Sequence, residues 1–231
     1  MKMIKRKQNQ AHHALPLNIS GLVLSFGHNS VITGLDLQAE AGELVWVTGD
    51  SGCGKSTLLE AIAGLKEAQR GSIRIGKYSP FGLVKTGGIG AVFENDSLLE
   101  QFTVFENIAL PLAVQGSSDR RSIFLRTEAM ISQLGLVDEM HKSPSEISRG
   151  QSRLALVARA YVMQPAILIL DDILSGVDAY AKDLLLRMLC PVNERMATVV
   201  ASGNETDTRL VSGANVLELG KMQGFKYAIK T

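Results

Sequence analysis

Few cysteines, balanced charge and the lack of a long apolar run narrow the class of protein before any motif is considered. Only two of the 231 residues are cysteines, Cys53 and Cys190. Lys and Arg number 24 against 23 for Asp and Glu, so no overall positive field favours nucleic acid as a partner. No apolar run approaches the ~20 residues of a membrane-spanning helix, so the sequence predicts none.

The beginning of the chain is basic but does not follow the pattern of a signal peptide. Residues 1–7 read MKMIKRK, and polar residues occupy positions 8–13, where a signal peptide would be apolar. We interpret residues 1–16 as a disordered basic tail, with contact to anionic lipid as an alternative role. Residues 17–231 are enough to form one domain with a sizeable core.

Apolar periodicity predicts an α/β fold in which strands and helices alternate along the chain. This alternation favours a mainly parallel sheet with right-handed crossovers, an antiparallel β edge and an inserted helical subdomain at about residues 95–150. The predicted strands are residues 17–26, 31–41, 43–48, 71–76, 87–93, 166–172, 197–201 and 214–219, with a last edge strand over 222–229. The predicted helices are residues 56–65, 103–114, 121–134, 151–163 and 179–189.

A glycine-rich loop, hereafter the phosphate loop, stands between a predicted strand and a predicted helix. Residues 49–56 read GDSGCGKS, the full G-x-x-x-x-G-K-S pattern. Backbone N–H groups of such a loop cradle phosphates, Lys55 reaches the outer phosphates, and the Ser56 hydroxyl can ligate Mg²⁺. The alternative, a glycine-rich turn without a ligand, is disfavoured by the flanking strand and helix. The predicted nucleoside triphosphate site comprises Gly49, Asp50, Ser51, Gly52, Cys53, Gly54, Lys55 and Ser56.

A cysteine within a phosphate loop is better kept reduced, so Cys53 favours a cytosolic compartment.

A second nucleotide motif is the apolar strand that ends in Asp171 and Asp172. In phosphate-loop enzymes an aspartate at this place holds Mg²⁺ through water, and a neighbouring acid polarises the attacking water. Many strands end in acids, so the motif is informative only together with the phosphate loop. It predicts Asp171 as a metal residue and Asp172 as the candidate base.

Residues 147–151 read ISRGQ and precede a helical segment; we call them the signature segment. They complete an ordered set of motifs. Phe26, the phosphate loop, Glu94, the signature segment, the Asp171 strand and residues 175–178 follow one another along the chain. From about residue 17 to 220, this order resembles the ATP-binding subunits of ABC transporters. Residues 98–112 are further similar to small subunits of lipoprotein-release, macrolide-export and cell-division complexes, and partly to lipid-trafficking subunits.

The resemblance implies specific roles for matching residues. Phe26 would stack on adenine, the alternative being a core phenylalanine. Thr57 would join Lys55 and Ser56 at the phosphates and Mg²⁺. Residues of the signature segment would face the γ-phosphate held by a second subunit, and residue 178 would carry communication across that dimer. The signature residues concerned are Ser148, Gly150 and Gln151.

The resemblance also implies cofactors, partners and a location. The cofactors would be ATP and Mg²⁺. The partners would be a second ATP-binding subunit, in a homodimer or heterodimer, and separate transmembrane permease subunits, with no nucleic acid. The neighbourhood of residues 94–107 would receive the membrane subunits, its alternative role being core packing. The chain would lie peripherally on the cytoplasmic face of the inner or plasma membrane.

Four positions depart from the family pattern at residues linked to hydrolysis. Glu94 stands in place of a glutamine; its oxygen can still reach Mg²⁺, but it brings negative charge near the phosphates. Arg149 replaces a glycine, and Asp172 replaces a longer glutamate, where a misplacement of about 1 Å can cost ~100-fold in rate. Gly203 stands where a histidine should contact the γ-phosphate, and no histidine occurs beyond residue 141. Slow turnover is therefore expected.

Two versions of the family assignment and one rival class follow. The chain is either a working ATPase with relaxed motifs, or a regulatory nucleotide-binding subunit whose signature segment completes the site of a more active partner. The rival is a soluble ABC-type protein that acts on DNA or the ribosome, or a nucleotide kinase. The short interval between the two nucleotide motifs and room for only one such domain disfavour that rival.

Overall fold

Two β-sheets organise the chain in the computed structural model, which describes residues 13–26, 29–116, 119–189, 198–203, 205–211, 213–220 and 229–230. The first sheet contains β1 (Leu17–Phe26), β2 (Asn29–Ala39) and β4 (Arg70–Ile75), in the order β2-β1-β4, and all its pairs are antiparallel. The second contains β3 (Leu44–Thr48), β5 (Ile89–Val92), β6 (Ile167–Leu170), β7 (Thr198–Ser202), β8 (Asn215–Glu218) and β9 (Ile229–Lys230).

The second sheet has the order β5-β6-β7-β3-β8-β9. Its strands from β5 to β8 pair in parallel, and only β9 runs antiparallel to its neighbour β8. The predicted α/β class with a mainly parallel sheet and an antiparallel β edge is confirmed. Because β5, β6, β7 and β3 run in the same direction, the segments that follow them meet at one edge of the sheet.

Seven α-helices lie in the described part of the chain. They are α1 (Lys55–Ile62), α2 (Pro80–Val84), α3 (Val104–Gln115), α4 (Arg120–Gln133), α5 (Arg149–Tyr161), α6 (Ala179–Leu189) and α7 (Glu205–Thr208). Two 3₁₀ turns, Val137–Glu139 and Pro144–Glu146, stand between α4 and α5. None of the helices in the described ranges is long and apolar enough to cross a membrane.

Helix capping explains two of the differences between the observed elements and the sequence prediction. The segment around Pro80 was predicted to be a loop, but it forms the short helix α2. There the Ser79 hydroxyl accepts a hydrogen bond from Gly82 N, and Pro80 occupies the first turn. Helix α5 begins at Arg149 rather than residue 151, because Ser148 is its capping residue. The sequence pattern did not reveal α2, because its five residues are too few to display a helical period.

The described residues begin at 13, and three hydrogen bonds connect residues 15 and 16 to the rest of the fold. Leu15 N donates to Ala166 O over 3.4 Å, and Leu15 O accepts a 2.6 Å hydrogen bond from the Thr198 hydroxyl. Pro16 O accepts from Gly76 N at 2.8 Å. These hydrogen bonds attach residues 15 and 16 to the two sheets, and the boundary of a basic tail at residue 16 stays a prediction. Residues 1–12, Cys190 and all but the end of the predicted strand 222–229 lie outside the described residues.

Strand β3 contributes side chains to two hydrophobic clusters, one on each face of the parallel sheet. Successive side chains of a strand point to opposite faces. Leu44 and Trp46 join a cluster with residues of α3, α4, α5 and α6. Val45 and Val47 join a cluster with the antiparallel sheet and α1. All five residues of β3 are buried, so the strand that leads into the phosphate loop is held on both sides.

Asn107 connects the start of α3 to the preceding loop and generates a stability prediction. Its fully buried side chain accepts from Leu99 N at 2.8 Å. Its Nδ2 donates to the carbonyls of Leu99, Phe102 and Thr103 at 3.1, 3.2 and 3.0 Å. The substitution Asn107→Ala leaves these backbone groups without their partner, which costs about 1–3 kcal/mol of unfolding free energy. Urea denaturation measures the loss.

The matched control is Gln133→Ala, which removes an exposed carboxamide at the end of α4. We expect it to change the unfolding free energy by less than about 0.5 kcal/mol. An Asn107→Ala protein as stable as this control would contradict the assigned role of Asn107.

Candidate functional site

The phosphate loop joins β3 to α1 through backbone conformations that only glycine accepts without strain. Gly49 has φ +142°, and a Cβ added there would lie 2.3 Å from Leu219 O. Gly54 has φ +104°, and its Cβ would lie 2.5 Å from Val31 Cγ1. The glycines at these two positions are therefore required by the close approach of neighbouring chain segments, as well as by the turn itself.

Helix α1 presents a set of backbone donors next to this loop. Gly54 is its N-cap, no side chain caps it, and its first turn contains no acidic residue. The first N–H groups of a helix lack intrahelical acceptors, and together with the helix dipole they attract anions. Lys55, Ser56 and Thr57 form this first turn. The structure thus places all three predicted residues at the helix end that suits a phosphate.

The Lys55 side chain folds back over the loop. Its Nζ donates to Gly49 O at 2.7 Å and to Asp50 O at 3.2 Å. Cys53 is buried, and its N–H donates to Asp50 O at 3.2 Å, which tightens the turn. Asp50, Ser51, Gly52 and Ser56 are exposed at the mouth of the loop. The ammonium of Lys55 therefore lies over the concave side, where it can exchange backbone carbonyls for phosphate oxygens.

Asp171 and Asp172 follow β6 at the same edge of the sheet, and the last residue of β7 holds them. Asp171 is buried, and its Oδ1 accepts a 2.5 Å hydrogen bond from Ser202 Oγ. The Asp172 N–H donates to the same hydroxyl at 3.1 Å. Asp172 itself has φ +49°, a left-handed conformation that is strained for a residue other than glycine. The sequence prediction did not include Ser202.

The surroundings of Asp172 shift the pKa of its carboxyl upward. Burial is the main cause that raises the pKa of Asp172 above its ordinary value, and a side-chain hydrogen bond from Ser175 opposes the rise. The carboxylates of Glu94, Asp171 and Asp207 raise this pKa further. The pKa shift of Asp172 thus reflects its burial and three neighbouring carboxylates, and the metal and water site at Glu94, Asp171 and Asp172 stays a prediction.

Glu94 follows β5 and is exposed, while the backbone around it is fixed by α5. Arg153 Nη2 donates to Glu94 O at 2.8 Å, and Nη1 donates to Phe93 O at 3.4 Å. Arg153 is only 9% exposed, so this contact is internal to the fold. The sequence prediction missed Arg153. The helix that carries it, residues 149–161, contains three arginines, so the sequence did not single out Arg153.

The signature segment forms the start of α5. Gln151 N donates to Ser148 Oγ at 3.1 Å, and Ser148 N donates to Gln151 Oε1 at 2.8 Å, a reciprocal cap of the helix. A Cβ on Gly150 would lie 2.6 Å from Asp178 Oδ2, so this glycine permits the close contact of α5 with the residues that open α6. The structure thus places Gly150 and Asp178 together.

Arg149, the third residue of the signature segment, lies against the loop that precedes α6. Its Nη1 is 3.1 Å from the place of a Cβ on Gly176, which has φ +67°. Arg149 is exposed, so its guanidinium covers the glycine from the solvent side. Of Phe26, the predicted adenine residue, the structure describes only the backbone at the end of β1, opposite Asn29; its side chain lies outside the described part.

Gly203 follows Ser202, and the core beneath it explains why this position has no side chain. A Cβ on Gly203 would lie 2.3 Å from Trp46 Cζ2 and 2.8 Å from Trp46 Cη2. Trp46 is fully buried on β3, so its ring has no room to withdraw. A histidine at position 203 is therefore incompatible with Trp46. The ring of Trp46 occupies the space where the side chain of the expected histidine would begin.

The donor set fits a magnesium ion that is bound chiefly through phosphates. Mg²⁺ usually takes one or two carboxylates, often through water, together with substrate oxygens rather than a cage made of protein alone. Asp171 keeps Oδ2 outside its hydrogen bond with Ser202, and Ser56 exposes a hydroxyl at the start of α1. Within the described ranges, no three His, Cys, Asp or Glu side chains gather as a metal cage. The residues present therefore suit a metal that arrives with a nucleotide.

In this structure a glycine-rich loop connects a central strand of a parallel sheet to a helix, and an aspartate follows a nearby strand. These features define the phosphate-loop class of α/β proteins. A family model described as ABC transporter matches residues 32–175. This match covers more than half of the chain, and the chain therefore belongs to the ABC transporter family. The predicted family is confirmed.

Three relatives illustrate the similarity. The aliphatic sulfonates import ATP-binding protein SsuB of Rhodopseudomonas palustris (strain BisA53) is 36% identical over 176 residues, which are 76% of this chain and 60% of that protein. The lipoprotein-releasing system ATP-binding protein LolD of Bacteroides thetaiotaomicron is 30% identical over 187 residues, 78% of this chain and 85% of that protein. The methionine import ATP-binding protein MetN of Latilactobacillus sakei is 31% identical over 202 residues, 84% of this chain and 58% of that protein.

The match spans about three fifths of the sulfonate and methionine import proteins and most of the lipoprotein-releasing protein. All three relatives are named ATP-binding proteins. The similarity to lipoprotein-release subunits that the sequence indicated is confirmed, and the chain is also similar to import subunits.

The contact between Gly203 and Trp46 generates a double-mutant prediction. Gly203→Ala forces a methyl group into the indole ring and costs about 1–3 kcal/mol of unfolding free energy. In a Trp46→Leu background the same change should cost less, with a coupling of about 0.5–3 kcal/mol between the two sites. Urea denaturation of the four proteins in the cycle measures this coupling.

Gly220→Ala is the control for that cycle, because a Cβ on Gly220 meets no atom within 4 Å. We expect this change to alter stability by less than about 0.5 kcal/mol in either background. Additive effects of Gly203→Ala and Trp46→Leu would show that the ring does not exclude a side chain at position 203.

The raised pKa of Asp172 generates a prediction about pH and stability. A carboxyl whose pKa is higher in the folded than in the unfolded state stabilises the fold when protonated, and this contribution is lost as pH rises through the folded pKa. Asp172→Asn replaces the carboxyl with an amide that does not ionise, so the variant does not lose stability at this position as pH rises. The variant should therefore gain thermal stability relative to the unchanged protein as pH rises from about 4, the ordinary value for aspartate, to neutrality. Calorimetry across this range measures the gap.

Asp172→Glu is the control for the pH series, because it keeps a carboxylate at the same position. We expect the glutamate variant to follow the pH dependence of the unchanged protein in direction. A gap between Asp172→Asn and the unchanged protein that stays constant with pH would contradict the assigned environment.

Proposed function

We propose that this chain is the ATP-binding subunit of a transporter complex, and that it binds MgATP at the phosphate loop but hydrolyses it slowly. The observation that carries this proposal is the phosphate loop with the uncapped start of α1 and the Lys55 ammonium folded over it. Gly49 and Gly54 allow the loop to pack closely against Leu219 and Val31, which fixes its backbone beside the start of α1. The names of the relatives, all ATP-binding proteins, support the same ligand.

Ser56, Asp171 and Glu94 are the residues proposed to hold Mg²⁺ with the nucleotide. When bound, Mg²⁺ would neutralise the negative charge that develops on the phosphate oxygens during phosphoryl transfer. Asp171 offers the oxygen that Ser202 does not use, and Ser56 offers its exposed hydroxyl. Phe26 is proposed to stack on adenine, and Asp50, Ser51, Gly52, Cys53 and Thr57 to complete the cradle.

Asp172 is the proposed general base. It would accept a proton from water while the water oxygen bonds to the γ-phosphorus and the bond to the bridging oxygen breaks, giving ADP and inorganic phosphate. A raised pKa increases the proton affinity of this carboxylate, which suits a base. Gly203 has no side chain to donate to the γ-phosphate, because a Cβ there would overlap the Trp46 ring. Glu94 adds negative charge on the same side.

The exclusion of a side chain at position 203 also favours a second candidate function. In a heterodimer, this chain would hold ATP as part of the interface while the partner subunit performs most of the hydrolysis. Ser148, Gly150 and Gln151 would then complete the partner's nucleotide site. Arg149, exposed in that segment, would meet the partner across the interface.

The remaining assignments concern domain organisation and membrane partners. We propose one ATP-binding domain, with α3, α4 and the two 3₁₀ turns forming a helical subdomain at about residues 95–150. Separate permease subunits would dock near residues 94–107, and closure of the dimer on ATP would move them. The chain would lie peripherally on the cytoplasmic face of the inner or plasma membrane. The transport names of the relatives support this assignment over a DNA-linked or ribosome-linked role.

Isothermal titration with ATP and steady-state ATPase assays test the proposal. We expect the chain to bind ATP in Mg²⁺ and to turn over more slowly than about 1 per second, the low end for enzymes. Lys55→Ala should abolish binding, because it removes the ammonium that meets the outer phosphates. Lys85→Ala, at an exposed lysine after α2, should bind ATP like the unchanged protein.

Two outcomes would overturn parts of this proposal. Absence of ATP binding by the unchanged chain would reject the nucleotide site altogether. Turnover of about 10 per second, near the enzyme median, that is lost in Asp172→Asn would reject slow hydrolysis and show that the site works without a residue 203 side chain.

A further inference from the structure

Ser202 lies between the two strands that carry the nucleotide motifs. It is the last residue of β7, it is fully buried, and it pairs in register with Val47 of β3. Its neighbour Ala201 pairs with Leu170, the residue before Asp171. Ser202 therefore stands at the edge of the sheet where the phosphate loop leaves β3 and the aspartates leave β6.

The directions of its hydrogen bonds are fixed by chemistry. A backbone N–H can only donate, so Ser202 Oγ accepts from Asp172 N at 3.1 Å. An ionised carboxylate can only accept, so the hydroxyl proton goes to Asp171 Oδ1, at 2.5 Å. A bond from a hydroxyl to a carboxylate at this distance belongs to the strong, charge-assisted class. One hydroxyl thus joins two consecutive residues with different tasks.

Each of these two bonds restrains a degree of freedom that matters to the site. The bond to Oδ1 stops rotation of the Asp171 carboxylate and leaves Oδ2 as its unused oxygen. The bond from Asp172 N holds a backbone at φ +49°, a conformation that neighbours must enforce in a residue other than glycine. Loss of the hydroxyl would release both residues together.

We propose that Ser202 is a positioning residue for Mg²⁺, holding Asp171 so that Oδ2 faces the metal that accompanies the nucleotide. This inference rests on the proposed nucleotide site and deepens it. Groups that orient a metal-binding side chain typically affect metal affinity by about 10–100-fold when removed. A serine with only a structural task would affect nucleotide binding equally with and without metal.

The test is ATP binding by isothermal titration, in excess Mg²⁺ and in EDTA, for the unchanged chain and for Ser202→Ala. We expect Ser202→Ala to weaken ATP binding about 10–100-fold in Mg²⁺, and by less than about threefold in EDTA, a change under about 0.65 kcal/mol. Ser202→Thr keeps the hydroxyl and should keep the Mg²⁺ dependence. Mn²⁺ paramagnetic resonance with bound ATP gives an independent signal of the altered metal environment.

Thr198→Val is the matched control, since it removes a buried hydroxyl at the other end of the same strand. That hydroxyl donates to Leu15 O and accepts from Gly42 N, far from the aspartates along β7. The control should lower the melting temperature without changing the ratio of affinities in Mg²⁺ and EDTA. If Ser202→Ala does not fold, Ser202→Cys keeps a similar volume with a weaker donor and should show the same selective loss.

The outcomes separate this inference from the proposed function. An equal loss of affinity in Mg²⁺ and EDTA, or no loss in either, would overturn the role of Ser202 while leaving the nucleotide site intact. A chain that binds no ATP in EDTA or Mg²⁺ before substitution would reject the nucleotide site itself, and the role of Ser202 with it.

Discussion

The order of strands in the larger sheet is the constraint on which the candidate site depends. β3 carries the phosphate loop and lies beside β7, and β7 lies beside β6, which ends before Asp171. All three strands run parallel, so segments far apart in the chain emerge at one edge. The hydroxyl of Ser202 fixes the positions of these segments, because it hydrogen-bonds both the Asp171 carboxylate and the Asp172 backbone at the end of β7. Sheet topology brings the groups near one another, and one hydroxyl sets their orientation.

Core packing and chemistry meet at the pair Trp46 and Gly203. The tryptophan belongs to the cluster that joins the sheet to the helices α3 to α6, and its place there requires a bare backbone at the end of β7. A large buried side chain on one strand thereby determines which functional group the next strand can present. The departure at position 203 is thus part of how this core is filled, which is a different situation from the loss of a side chain at a site that stays otherwise unchanged.

Most of the fold and the central part of the candidate site could be predicted from the sequence. Strand periodicity and the residues 49–56 pattern placed the loop correctly, because local sequence encodes both. The short helix at Pro80–Val84 was missed because a cap and a proline, not a period, define it. Ser202 and Arg153 carry no motif, and their roles follow from contacts with residues far away in the chain. Only the three-dimensional contacts of Ser202 and Arg153 reveal these roles.

Arg153 has a mechanical consequence for the segment that follows β5. Its buried guanidinium fastens the carbonyls of Phe93 and Glu94 to α5, the helix that begins with the signature segment. A rotation of α5 relative to the sheet must either break these two bonds or carry Glu94 with it. Arg153 therefore couples the position of Glu94 to the orientation of α5, the helix that begins with the signature segment.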